Sequence, residues 1–208
     1  MIRTIIAEDN IYVQNHFYNL LTSDGRFDIV ACFRDSVEAE AACIGGSIDL
    51  VLMDVQTLHN HSGLASARRI KEKSRAKVVI ITSLIDPDIL SEARNGAADS
   101  LWYKDHSDSD IIEVIELTLA GQHIFPDTSP CVELNEMLSQ DITPRQLEIL
   151  RRYVCGMTYE EIANELNLTK RGVRWNLDQI VERGNFRNKH EMLAAVIESK
   201  LIVTTLKE

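Results

Sequence analysis

The stretch Ile48-Asp49-Leu50-Val51-Leu52-Met53-Asp54 is a short apolar run that ends on a carboxylate, and a polar loop follows it as far as Gly63. Such a run predicts a buried strand with Asp54 at its carboxyl end. In an open parallel sheet, ligands bind outside the carboxyl ends of the strands, because strand ends and helix starts meet there. Asp54 is therefore predicted to lie at a binding edge.

Three other apolar runs of the sequence also end on polar side chains. The first ends at Glu8 and Asp9, the second at Thr82 and the third at Lys104. If these strands lie side by side with the strand of Asp54, an acidic cluster, one hydroxyl and one ammonium meet at a single edge of the sheet.

The charges of this cluster predict a particular chemistry. Three carboxylates at close range repel one another unless a cation lies between them, and a hard divalent ion such as Mg2+ prefers oxygen ligands. Beside such an ion, Asp54 is a nucleophile suited to a phosphoryl group. The ammonium of Lys104 and the hydroxyl of Thr82 would then bind the phosphoryl oxygens, where transferred charge accumulates.

Together these five residues, in this order, resemble the receiver domain of two-component response regulators. The resemblance covers about the first three fifths of the chain, and the ordered set is far more specific than any one residue. It implies that a partner histidine kinase or a small phosphodonor phosphorylates Asp54. It also implies that Glu8, Asp9 and Asp54 hold Mg2+, and that Thr82 and Lys104 act as phosphate sensors.

Each of the five residues also has an ordinary structural interpretation. Asp9 or Asp54 alone is more typical of a helix N-cap than of a metal ligand or a nucleophile. Thr82 is equally consistent with a plain strand end, and Lys104 with a solvated lysine. The five residues indicate a site only if they lie together.

The pattern of apolar residues divides the chain into three parts. Strands and helices alternate through residues 1–121, which predicts an α/β doubly wound parallel sheet, the flavodoxin-like fold of a receiver domain. Residues 122–141 lose this alternation and contain two prolines, which predicts a linker with a short helix from Leu134 to Leu138. Residues 142–208 show helical patterns only, and they predict an all-α helix-turn-helix domain.

One helix of the last part has a basic outer face. Thr169 is its predicted N-cap, and a buried stripe on this helix turns five polar or aromatic residues outward. Cations at a helix start suit double-stranded DNA, because recognition helices meet the major groove through their amino-terminal residues. A solvated helix face is the alternative. The five outward residues are Lys170, Arg171, Arg174, Trp175 and Asp178.

Motifs around this helix resemble the LuxR-type DNA-binding domain. They include Ile142-Thr143-Pro144-Arg145-Gln146, Gly156-Met157-Thr158 and Glu161-Ile162-Ala163. With the receiver they resemble the NarL/FixJ class of regulators. The resemblance implies that the helix after Thr169 enters the major groove of promoter DNA, that the last helix mediates dimerisation, and that the active protein is a homodimer.

Three residues of the basic helix depart from the usual LuxR-type pattern, namely Gly172, Asn176 and Asp178. An outward carboxylate at Asp178 is repelled by phosphate but is able to accept a hydrogen bond from a cytosine amino group. Trp175 either touches a thymine methyl group or a sugar, or packs on its own domain. The target sequence is therefore not predictable from the family pattern.

Composition and charge exclude several classes of protein. The net charge of −10 lies in the first part, with 11 Lys and Arg against 20 Asp and Glu through Asp127, whereas the chain from Asp141 onward has 11 against 10. The chain is therefore not a general polyanion binder. No apolar stretch approaches the ~20 residues that span a bilayer, and the amino end lacks a secretory signal pattern. A cytoplasmic protein without a membrane partner is expected.

The cysteines and the paired loop histidines predict no metal centre. Cys32, Cys43, Cys131 and Cys155 are widely spaced and form no Cys-x-x-Cys pair, which predicts reduced, mostly buried thiols. His59 and His61 follow Asp54 in the same loop without further ligands, and they are predicted to be exposed loop histidines.

The leading hypothesis for function is a DNA-binding transcriptional regulator that is controlled by phosphorylation of Asp54 and is not an enzyme. A second hypothesis keeps this architecture but makes the receiver a phosphorylation-independent module for dimerisation or partner binding. A third is an aspartyl-phosphate hydrolase. Such enzymes usually need an acid two residues after the nucleophile, where this chain has Gln56.

Overall fold

The computed structural model describes residues 1–105 and 110–203. The chain divides into two compact units, one over residues 1–129 and the other beginning at Pro130. Each unit is described by itself below. None of the helices within the described ranges is long and apolar enough to cross a bilayer.

The first unit is a five-stranded parallel sheet with helices on both faces. The strands lie in the order β2-β1-β3-β4-β5, which is the flavodoxin-like order and confirms the predicted fold class. The strands are β1 (Ile2–Ala7), β2 (Phe27–Phe33), β3 (Leu50–Asp54), β4 (Lys77–Thr82) and β5 (Ser100–Tyr103). The helices are α1 (Ile11–Asp24), α2 (Ser36–Gly45), α3 (Gly63–Lys73), α4 (Pro87–Glu92) and α5 (Ile111–Leu119).

The apolar runs of the sequence form the core of this unit. All five residues of β3 are buried, as expected for a central strand that is covered on both faces. Phe17 and Leu21 of α1 and Ile115 of α5 pack in one cluster against the sheet. A π-helical turn, Ala93–Ala97, follows α4 and leads to β5. Burial of the strands holds their polar ends in fixed positions at one edge.

The segment that follows α5 lies along the outer edge of β5. The Leu101 amide donates to the Ile124 carbonyl at 2.9 Å, and the Ile124 amide donates to Ser100 Oγ at 3.0 Å. Further along, the Tyr103 hydroxyl donates to Ser129 Oγ at 3.3 Å. Residues up to 129 are thus bound to the sheet.

The second unit begins with a hairpin where the sequence predicted a helix. Strands β6 (Glu133–Leu134) and β7 (Met137–Leu138) pair antiparallel, and Asn135 between them has a φ of 57°. Leu134 and Met137 are both buried and lie opposite each other in the hairpin. The prediction of a helix from Leu134 to Leu138 is wrong. The buried residues Leu134 and Met137 are three positions apart, and this spacing occurs across a two-residue turn as well as in a helix.

Four α-helices follow within the described part of the second unit, each begun by a side-chain cap. They are α6 (Pro144–Val154), α7 (Tyr159–Glu165), α8 (Lys170–Arg183) and α9 (Lys189–Glu198). Capping boxes at Thr143 and Thr158 satisfy the first amides of α6 and α7. Thr169 caps α8 and Asn188 caps α9. These caps fix where each helix begins, as the sequence indicated.

The cysteines differ from the prediction. All four are free thiols, but Cys32, Cys131 and Cys155 are exposed and only Cys43 is buried. The prediction of mostly buried thiols is therefore wrong. Cys32 is exposed because its strand, β2, is at the edge of the sheet.

Candidate functional site

Three carboxylates meet where β1 and β3 end. Glu8 and Asp9 follow β1 directly, and Asp54 is the last residue of β3. One carboxylate oxygen from each lies within 4.8 Å of the other two. Glu8 and Asp54 are buried, and Asp9 is partly exposed. The parallel pairing of β1 with β3 brings them together, since Ala7 pairs with Met53.

Neither aspartate is a helix N-cap. The N-cap of α1 is Asn10, whose side chain accepts hydrogen bonds from the amides of Tyr12 and Val13. The N-cap of α3 is Ser62. The capping interpretation of Asp9 and Asp54 is therefore wrong, and both carboxylates are available to the cluster.

Lys104 completes the cluster from the end of β5. Its Nζ lies 2.5 Å from Glu8 Oε2 and 3.1 Å from Asp54 Oδ2, and its side chain is only 13% exposed. Burial lowers the pKa of Lys104, but the attraction of Asp54 and Glu8 outweighs burial and raises it. Lys104 is thus a buried, charged partner of the acids and not a solvated lysine.

Thr82 is fully buried at the end of β4. Asp54 pairs with Ile81 in the register of β3 and β4, so Thr82 lies one residue beyond Asp54 along the edge. Its Oγ1 accepts a hydrogen bond from the Leu84 amide at 3.1 Å, and its carbonyl accepts one from the Lys104 amide at 2.8 Å. Thr82 lies at the predicted edge, and its role as a phosphate sensor stays a prediction.

The electrostatics of the cluster favour a bound cation. Burial raises the pKa of Asp54 to about 7, with Lys104 opposing the rise and Glu8 adding to it. Three clustered carboxylates face one ammonium, so negative charge is in excess. Oxygen ligands in such excess suit a hard divalent ion. The acidic group is therefore able to hold a metal.

The raised pKa of Asp54 makes the effect of Mg2+ on stability depend on pH. Folding raises the pKa of Asp54 from 3.8 to about 7. A proton on Asp54 therefore stabilises the metal-free folded protein. This contribution is complete below about pH 4 and is lost as the pH rises through 7. A proton on Asp54 would compete with a bound Mg2+, so we expect Mg2+ to raise the melting temperature more at pH 8 than at pH 6. At 100 times its dissociation constant, Mg2+ stabilises by about 2.7 kcal/mol.

Thermal unfolding with and without MgCl2 at the two pH values measures this difference. The matched control is Asp54→Asn, which removes both the titrating group and a ligand, and which should reduce the response to Mg2+ at both pH values. An equal Mg2+ response of the wild-type protein at pH 6 and pH 8 would contradict the assignment.

Two residues that support the cluster were not predicted. The Gln14 side chain is buried and donates to the carbonyls of Glu8 and Phe33, at 2.9 Å each. Gly63 lies so close to the cluster that a Cβ there would be 1.8 Å from the Asp54 carbonyl oxygen. In the sequence, the signal for Gln14 was its position as a polar residue next to the apolar face of α1. The signal for Gly63 was its position directly after a serine N-cap.

His61 differs from its prediction as an exposed loop residue. His59 is exposed, whereas His61 is partly buried, and its Nδ1 lies 2.8 Å from Asp35 Oδ1. Asp35 is the N-cap of α2. Burial alone would raise the pKa of Asp35, but the hydrogen bond to His61 and a backbone amide hold it below its usual value. The pair fastens the loop after Asp54 to α2.

In the second unit, α8 separates apolar from basic residues as predicted. Val173, Leu177 and Ile180 are fully buried. The outward residues Lys170, Arg171 and Arg174 are exposed. Trp175 is 58% exposed, which favours an external contact for it over packing on its own domain.

The fifth outward residue of α8, Asp178, is paired. Its carboxylate binds the ammonium of Lys189, the first residue of α9, and lies 3.5 Å from Nε of Arg174. At the start of α8, Lys170 lies 3.8 Å from Glu160 of α7. The five predicted outward residues of α8 therefore comprise three cations, one tryptophan and one carboxylate that is already paired.

The folds of the two units, in this order along the chain, define a class of protein in which a receiver precedes a helix-turn-helix domain. The family model of the response regulator receiver domain matches residues 4–116, and that of the LuxR family of bacterial regulatory proteins matches residues 140–196. The receiver match alone spans more than half of the chain. The chain belongs to the response regulator family with a LuxR-type DNA-binding domain, and it is a DNA-binding transcriptional regulator.

Relatives match this chain over nearly its whole length and over nearly their own whole length. The uncharacterised transcriptional regulatory protein YvfU of Bacillus subtilis is 29% identical over 202 residues, which cover 96% of this chain and 98% of the relative. The oxygen regulatory protein NreC of Staphylococcus carnosus is 23% identical over 214 residues, with 96% and 99% covered. RcsB from Salmonella enterica serovar Typhimurium, solved on promoter rprA with the phosphomimetic BeF3−, is 18% identical. Its TM-score of 0.61, over 94% of this chain and 98% of RcsB, supports the fold.

Proposed function

We propose that Asp54 is the phosphoacceptor of this regulator and that its phosphorylation controls DNA binding by α8. The observation that carries this proposal is the 3.1 Å contact between Lys104 Nζ and Asp54 Oδ2, within a buried cluster that also contains Glu8 and Asp9. A carboxylate beside a fixed ammonium and further acidic ligands is suited to phosphoryl transfer.

The chemistry is a transfer from a phosphorylated histidine of a partner kinase, or from a small acyl phosphate. An Asp54 carboxylate oxygen forms the new bond to phosphorus, and the bond from phosphorus to the donor's leaving group breaks. Lys104 balances charge on the phosphoryl oxygens, and the Thr82 hydroxyl donates to one of them. Mg2+, held by Glu8, Asp9 and Asp54, supplies further neutralising charge when it is bound.

Phosphorylation of Asp54 changes the contacts that Lys104 makes in the pocket. In the unphosphorylated pocket, Lys104 divides its charge between Glu8 and Asp54. The acyl phosphate carries about two negative charges on its phosphoryl oxygens in place of the single charge of the Asp54 carboxylate, so Lys104 and Thr82 move towards it and the ends of β4 and β5 follow. The result is a shift between two populations of the receiver.

The active form is a homodimer in the cytoplasm that binds double-stranded promoter DNA. RcsB, a structural relative, has been solved as dimers bound to DNA, and two-fold symmetry suits the paired half-sites of a promoter. Asp54, Glu8, Asp9 and Lys104 lie together in the described pocket, which supports control by phosphorylation over a phosphorylation-independent module. A hydrolase is disfavoured because Gln56 lacks the carboxylate needed as a second acid.

A footprint on the DNA upstream of the protein's own gene tests the proposal as a whole. We expect protection that extends or strengthens when acetyl phosphate and Mg2+ are added. Identical footprints with and without the phosphodonor would contradict control by phosphorylation.

Arg174→Ala tests whether α8 reads DNA together with its neighbours Lys170, Arg171 and Trp175. A guanidinium that binds a base edge contributes about 1 to 3 kcal/mol of discrimination, so we expect weaker binding to a duplex selected from a random pool. Fluorescence anisotropy measures the change. Arg187→Ala is the control, because Arg187 is an exposed arginine beyond α8. Equal affinities of the two variants would mean that α8 is docked on DNA in a different way.

A further inference from the structure

Asp178 is an acidic residue on the helix face that the proposed function places against DNA. An unpaired carboxylate there would repel the phosphate backbone. One of its oxygens, Oδ1, binds the ammonium of Lys189, and the other, Oδ2, lies 3.5 Å from Nε of Arg174. With two cations for one anion, the group keeps a net positive charge.

Lys189 explains why a carboxylate is useful at this position. It is the first residue of α9, and a cation at a helix N-terminus is unfavourable because the helix dipole is positive there. Its side chain is only 21% exposed, so the ammonium needs a partner. Asp178 provides that partner and thereby links α8 to the first turn of α9.

The same carboxylate also lies beside Arg174. Its side chain is 70% exposed, and a free arginine in such a position has many rotamers to lose on binding. Asp178, four residues later on the same face of α8, approaches Nε. The terminal Nη1 and Nη2 atoms are the fork that binds a guanine or a phosphate.

We propose that Asp178 is a positioning residue for DNA recognition: it orients Arg174 and fastens α9 to α8, and it does not itself read a base. This inference rests on the proposed role of α8. Direct reading of cytosine would add a third donor to a carboxylate whose Oδ1 already binds Lys189 and whose Oδ2 lies beside Arg174, so base reading would compete with both contacts.

The test compares Asp178→Asn with Glu182→Gln. Both changes remove one negative charge from α8, but the carboxylate of Glu182 is exposed and accepts a hydrogen bond from the neutral side chain of Gln179. The probes are a duplex selected by the wild-type protein from a random pool and a duplex of random sequence. Both variants should bind the random duplex more tightly than the wild type does, because less negative charge faces the phosphates.

The ratio of the affinities for the two duplexes distinguishes a positioning residue from a residue that acts only through its charge. Asp178→Asn should lower the ratio of selected to random affinity by about threefold to tenfold, the cost of ordering one mobile side chain, and Glu182→Gln should leave it unchanged. In an Arg174→Ala background the effect of Asp178→Asn on the ratio should disappear. Asp178→Glu, which keeps the charge, should restore part of the ratio. Thermal unfolding of each variant confirms that it is folded.

Three results would overturn the inference. The first is an unchanged ratio in Asp178→Asn, and the second is an effect that persists without the Arg174 side chain. The third is a change in the preferred sequence at one base pair when the Asp178→Asn variant selects duplexes from the random pool. That result would show that Asp178 reads a base. If Arg174→Ala leaves the ratio unchanged, the proposed role of α8 fails and this inference fails with it.

Discussion

Asp54→Asn is expected to reduce phosphoryl labelling by acetyl phosphate and Mg2+ to background, whereas the wild-type protein is labelled. The amide is not a nucleophile for phosphorus, and it also removes a carboxylate from the acidic group. The change should preserve the fold, since the amide oxygen is still able to accept the hydrogen bond that Oδ1 receives from the Val55 amide at 2.8 Å.

Asp49→Asn is the matched control for this experiment. Asp49 directly precedes β3, at the end of the strand opposite Asp54, and its carboxylate accepts a hydrogen bond from the Arg3 amide at 2.9 Å. It is exposed, so its replacement should leave labelling intact. Labelling that persists in Asp54→Asn would assign the acceptor to another residue.

Gly63→Ala is expected to have the largest effect on stability. A Cβ at Gly63 would lie 1.8 Å from the Asp54 carbonyl oxygen and 2.9 Å from its carbonyl carbon. These are backbone atoms, so no rotamer change relieves the contact, and the loop after β3 has to move. Overpacking typically costs about 1 to 3 kcal/mol, occasionally more, and we expect at least the upper value here.

The same displacement should impair phosphorylation, because the Gly63 amide donates to the Val55 carbonyl at 2.8 Å, next to Asp54. Urea unfolding and acetyl phosphate labelling measure the two effects. Gly45→Ala is the control, since a Cβ at Gly45 meets nothing within 4 Å, and its stability should equal or slightly exceed that of the wild type. Equal stabilities of the two variants would show that Gly63 is not tightly packed.

The sequence was informative wherever a local pattern determines the structure. The apolar run that ends at Asp54 predicted β3 and placed the carboxylate at its end, because buried strands have few alternatives. Thr143 with Gln146 predicted the start of α6 because a capping box is complete within four residues. The ordered polar ends of three strands were sufficient to predict that Glu8, Asp9, Asp54 and Lys104 would be neighbours.

Contacts between distant residues were not predictable from such patterns. His61 and Asp35 are 26 positions apart, and nothing periodic in the sequence connects them. The pairing of Ile124 with β5 depends on backbone hydrogen bonds that any residue is able to make. The pairing of Asp178 with Lys189 joins two helices, whereas the outward position of Asp178 alone suggested contact with DNA.

The affinity for promoter DNA, with and without beryllofluoride and Mg2+, tests the central claim most directly. Coupling between two sites typically amounts to about 1 to 3 kcal/mol, so beryllofluoride should tighten DNA binding by the wild-type protein about tenfold or more. Asp54→Asn should show no change under the same conditions. Equal affinities of the wild-type protein with and without beryllofluoride would contradict the account, because the Asp54 pocket would then not control α8.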